Sequence, residues 1–149
     1  MKSNITSRLL ENFDSTSFMK TGQPCKEILD FYDTPQQADE FYRLTESAWP
    51  QIDWQKISKL KTNGWMVISS LCEASYKHCF PSLLMELKKN DNLLTDLFTE
   101  NHLTLSNVYK EWEINFYLSL NERARELVGE ILRGKRGPLA LAALESYWQ

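Results

Sequence analysis

The chain has 149 residues, 42% apolar and 25% charged, and its 17 Lys and Arg against 20 Asp and Glu leave a net charge of -3. That mix predicts one folded domain over residues 1–149, with 1–33 peripheral, and excludes a disordered chain. A sequence pI of about 5.4 also sets it apart from general nucleic-acid binders, whose domains usually lie above roughly 9.

No segment approaches the roughly 18 consecutive apolar residues of a membrane-spanning helix. Residues Met1 to Arg8 carry one early Lys and no apolar run after it, so they do not read as a secretory signal. Cys25, Cys72 and Cys79 are odd in number and predict no disulfide framework. A cytoplasmic protein is the expectation.

In chain order, Leu9, Leu10 and Phe13 suggest a short first helix, and Thr21-Gly22-Gln23-Pro24 reads as a turn. Thr34-Pro35 is a helix start, with a Thr cap and Pro at the first position. Ala38, Phe41, Tyr42 and Leu44 supply its buried side, and Trp49-Pro50 predicts an end near Ala48. Asp53 is placed to cap a short helix holding Trp54, Ile57 and Leu60, stopped by Asn63-Gly64.

The densest apolar stripe follows. Cys72, Tyr76, Cys79, Phe80, Leu83, Leu84 and Leu87 keep helical spacing. Pro81 lies inside it, where a proline costs about 3 kcal/mol. Either one kinked helix or two helices fit, and the unbroken phase of the stripe favours one. Leu93, Leu94, Leu97 and Phe98 then suggest another short helix.

Residues 108–120 change period. Trp112, Ile114, Phe116, Leu118 and Leu120 alternate with Glu113, Asn115, Tyr117 and Ser119, the pattern of a half-buried strand. Its one evident partner is residues 65–71. A helix through Tyr109, Trp112, Phe116 and Leu120 is the competing reading.

Ser119-Leu120-Asn121-Glu122 has the form of a capping box. Ala124, Leu127, Val128, Ile131 and Leu132 form the next stripe, Gly134 ends it, and Gly137-Pro138 opens a last helix carrying Ala140, Ala143, Leu144, Tyr147 and Trp148. The predicted fold is mainly α: a compact helical domain with a C-terminal antiparallel helix pair and a minor two-stranded element pairing 65–71 with 108–118.

Reactive constellations are scarce. His78 and His102 have no ligand at helical spacing, so no metal site is predicted. Adjacent positions on a helix point about 100° apart, so His78 and Cys79 do not converge. Cys72 and Cys79 read as small core hydrophobes. No Gly-x-Ser-x-Gly elbow occurs, and a pairing of Cys79 with His102 rests on residue type alone. Arg133-Gly134-Lys135-Arg136-Gly137 has the cations and glycines of an anion-holding loop, but a solvated turn, with Arg133 at the negative end of the preceding helix, is the stronger explanation.

Between Glu27 and Glu46 the chain concentrates acids: Asp30, Asp33, Asp39 and Glu40 stand there with Tyr32 and Tyr42, opposed in the later part by Arg43. Acids at a turn and helix start suit the helix dipole. Interleaved with tyrosines, they also suit a docking face for a basic protein. Five Trp, six Tyr and seven Phe complete an aromatic-rich chain.

Four features together resemble a family of small bacterial, mainly helical proteins known only as a domain of unknown function. They are the acidic helix leading to Ala48-Trp49-Pro50, the aromatic-Pro-x-Leu-Leu of Phe80 to Leu84, the Leu120 to Arg125 run, and the closing Tyr147-Trp148. The likeness spans about residues 36–148 and carries over no catalytic residue. Small bacterial proteins of this build are often neighbours or neutralisers of toxins.

The resulting expectation is a non-enzymatic protein-binding domain, concretely an immunity protein. It would meet a basic toxin through Asp30, Tyr32, Asp33, Asp39, Glu40 and Tyr42, without cofactor, metal, membrane or direct nucleic-acid contact. The alternative is a small hydrolase or transferase using a carboxylate with His78 or His102.

Overall fold

The computed structural model describes residues 4–13, 34–46, 48–60 and 65–149. Among them there are nine α-helices and no strand. The chain packs into two units, one of residues 1–14 with 83–149 and the other of residues 15–82.

In the second unit, α2 (Pro35–Thr45) starts where the Thr34-Pro35 signal places it. The Thr34 hydroxyl oxygen accepts from the Gln37 amide at 3.2 Å. Ala38, Phe41 and Thr45 form the buried side. The helix stops at Thr45, whose hydroxyl turns back to donate to the Phe41 carbonyl at 2.9 Å, and a 3-10 turn, Trp49–Gln51, buries Trp49. Asp53 caps α3 (Trp54–Ser58) as expected, accepting from the Gln55 and Lys56 amides at 3.0 and 3.3 Å. The expected stop at Asn63-Gly64 and the turn at Thr21 to Pro24 lie outside the described residues.

After α4 (Trp65–Ser69), α5 (Glu73–Lys89) runs through Pro81 as one helix, and the division between the units falls within it, after Ser82. Pro81 has no N–H to give to the preceding turn. The next residue adds two bonds nearby: the Ser82 hydroxyl donates to the Cys79 carbonyl at 2.7 Å and accepts from the Trp54 indole at 2.8 Å. A polar clasp therefore fixes the helix beside its missing bond. Cys72 departs from expectation, being half-buried and disulfide-bonded ahead of the helix, while Cys79 is a free and fully buried thiol.

In the first unit, α1 (Ile5–Asn12) is capped by Asn4, buries Leu9 and pairs Arg8 with Glu130. α6 (Leu93–Phe98) begins at a reciprocal Asn92–Thr95 capping box and widens into a π-helical turn, Thr99–Leu103. Next come α7 (Glu111–Ser119) and α8 (Glu122–Arg133). The last helix, α9 (Pro138–Ala143), also widens into a π-helical turn, Leu144–Trp148.

The expected two-stranded element is not formed: most of each segment lies on a helix, 65–69 on α4 and 111–118 on α7, and the remaining residues are in turns or irregular chain. Residues 111–119 misled the periodicity because the buried face of α7 is Glu113 and Tyr117, four positions apart, and both carry polar atoms. The apolar Leu118, counted as inward in the strand pattern, is 60% exposed. The capping box is also displaced. Ser119 ends α7, and Asn121 caps α8 by accepting from the Ala124 amide at 2.8 Å.

The stripe Ala124, Leu127, Val128, Ile131 and Leu132 is buried as predicted. Gly129 lies on it because the chain end comes very close: an added Cβ would sit 2.4 Å from the Trp148 carbonyl oxygen. Gly137 enters α9 with φ of 115°, a conformation that favours glycine.

Candidate functional site

The acidic positions are only partly brought together. Asp30, Tyr32 and Asp33 lie outside the described residues. On α2, Asp39 is exposed, Glu40 is half-buried and pairs with Arg43 at 3.2 Å, and Tyr42 is half-buried with its ring edge-on to Phe41. Glu46, just past the helix, is also exposed. An ion pair this accessible contributes at most about 1 kcal/mol.

A tighter constellation forms in the interior of the first unit, and of it the sequence named His102 with an unspecified carboxylate but neither Glu113 nor Tyr117 as its partners. The π-helical turn after α6 holds His102, and the inner face of α7 presents Glu113 and Tyr117. Glu113 Oε2 lies 3.0 Å from His102 Nδ1 and 2.8 Å from the Tyr117 hydroxyl, which donates to it. A carboxylate only accepts, so this contact assigns the Nδ1 proton to His102. Exposures of 5% for His102, 2% for Glu113 and 0% for Tyr117 place the group away from water. Phe98 stacks on the imidazole and Trp148 meets the Tyr117 ring edge-on at 5.3 Å.

The chain end closes this region. The Trp148 indole N–H donates to the Leu103 carbonyl at 2.7 Å, and the Ser146 hydroxyl oxygen accepts from the Leu105 amide at 3.0 Å. Two π-helical turns are thereby tied together around residues 103–105. On the outer side, Arg125 stacks on Tyr147 at 4.2 Å and donates to its carbonyl at 3.0 Å. The spacing of Glu113 and Tyr117 was the available signal, but a carboxylate facing inward makes sense only once His102 is known to meet it.

Chemically, the group is a histidine held by a carboxylate, the arrangement that orients a catalytic base. Here Phe98 packs on the imidazole and Trp148 on the Tyr117 ring. Burial pushes the Cys79 thiol well above its ordinary range, away from the thiolate a nucleophile requires. His78 is buried on α5. No three His, Cys, Asp or Glu side chains gather to hold a metal among the described residues. Nor is any helix among them long and apolar enough to cross a membrane. No family model matches the chain, and neither a characterised protein nor a solved structure does.

The loop after α8 behaves differently from the interior group. Lys135 and Arg136 line two adjoining clefts, of about 270 and 390 Å³, whereas Arg133 lines a separate cleft with Glu122 and Glu126. The five-residue run read from sequence is therefore split between two sides of the unit.

Proposed function

We propose that this chain is a non-enzymatic protein-binding domain, in concrete form an immunity protein that neutralises a basic bacterial toxin through the acidic side of α2. The observation that carries the reading is that Asp39 and Glu46 stand in solvent beside the half-buried Tyr42 and the tethered Glu40. Carboxylates around an aromatic steer a basic partner and fix its orientation. The resemblance to small bacterial helical proteins points the same way. A cytoplasmic location belongs to this reading, with the Cys72 disulfide as the observation against it, since cytosolic thiols are kept reduced.

The test is a partner purified with the wild-type chain from its native cells, followed by affinity measurement on Asp39→Lys/Glu40→Lys. The variant is expected to melt with the wild type and to bind about tenfold more weakly or worse, as loss of complementary rim and interface charges implies. Unchanged affinity removes this face from the proposal.

A second reading, a small hydrolase or transferase, is favoured by the 3.0 Å contact of His102 with Glu113. It predicts that His102→Ala abolishes turnover at full thermal stability. Binding through α2 with a structural His102 predicts the reverse, a clear loss of stability.

A further inference from the structure

We propose that the cleft between the α5–α6 turn and the α8–α9 turn binds a small, multiply charged anion of the phosphate class. Lys88, Lys89, Asp91, Lys135 and Arg136 line it, and its volume is about 390 Å³, within the range of roughly 300–1,000 Å³ typical of ligand sites. In a chain of net charge -3, this concave surface carries four cations against one acid.

That one acid is already engaged. Lys135 Nζ donates to Asp91 Oδ1 at 2.9 Å and to the Asn90 carbonyl at 3.1 Å, and its side chain is only 14% exposed. The lysine thus ties the α8–α9 turn to the α5–α6 turn at the cleft. Lys88, Lys89 and Arg136 are exposed and have no ion pair among the described residues. Lysines in the last turn of α5 do suit its negative end. That preference accounts neither for Arg136, which lies in a loop, nor for the concavity.

The geometry selects the ligand class. Two lysine ammonium groups supply mobile point charges, and the arginine fork matches two oxygens of one phosphoryl group. No aromatic ring among the described residues lines the cleft, so charge is read there rather than a stacked base. The adjoining cleft shares Asp91, Lys135 and Arg136 and adds the apolar Leu87, Pro138 and Leu139 together with Asp96 and Thr99, so the ester portion of a phosphorylated molecule meets an apolar wall there beside a second carboxylate.

The test is calorimetric titration of sodium pyrophosphate into the full chain at low salt without divalent cations. Saturable binding is expected, weakened about tenfold or more in Lys89→Glu/Arg136→Glu, as loss of charge-assisted hydrogen bonds implies. The charge-matched Lys56→Glu/Lys59→Glu, on exposed positions in the other unit, is expected to bind as the wild type does. Equal weakening in both variants, or no saturable heat in the wild type, overturns the proposal. Amide shifts in the wild-type NMR spectrum give a reading that needs no variant. Changes concentrated at Lys88–Asp91 and Gly134–Gly137 support the site, and scattered or absent changes refute it.

Discussion

The interior at His102 and the cleft at Lys89 both hold charged side chains, yet Glu113 is enclosed between two donors while Lys88, Lys89 and Arg136 face solvent with no ion pair among the described residues. Burying a charge is costly unless it is paired and hydrogen-bonded, and the two contacts on Glu113 meet that requirement. Exposed cations carry no such requirement and remain available to a ligand. The interior pair thus has its partners within the fold, and the cations of the cleft are the ones open to solvent.

Substitutions at the two places should separate by magnitude. Trp148→Ala removes a fully buried indole, its hydrogen bond to Leu103 and its contact with Tyr117, and should cost about 4 kcal/mol in urea unfolding. Gly129→Ala sets a Cβ 2.4 Å from the Trp148 carbonyl oxygen and should cost about 2 kcal/mol by overpacking the same junction. If both melt with the wild type, the chain end is not the closure described. Lys89→Glu/Arg136→Glu should change unfolding free energy by no more than about 0.5 kcal/mol, as surface substitutions do. A larger loss would make the cleft structural as well and erase the contrast.

Much of the fold was legible where the signal is local. Thr34-Pro35 and Asp53 announce their helices because a cap and its target amides lie within three residues. The stripe from Ala124 to Leu132 reads directly because every inward residue is apolar. Legibility failed where partners are distant. Glu113 and Tyr117 look polar until His102 and Trp148 arrive from other turns, so their helix imitates a strand. Asn121 displaced Ser119 as the cap because α7 extends to Ser119. The cations of the Arg133–Gly137 loop were visible, but Lys88 and Lys89 join them only through the approach of two turns. The disulfide at Cys72 left no mark on the apolar spacing that placed it in a core stripe.

The most direct measurement is a double-mutant cycle in urea unfolding with His102→Ala and Glu113→Ala. If the enclosed pair holds the π-helical turn at Thr99–Leu103 to α7, the singles should be strongly destabilised and their effects coupled by more than about 1 kcal/mol. Effects that add within about 0.3 kcal/mol, with neither single variant destabilised, would contradict that role.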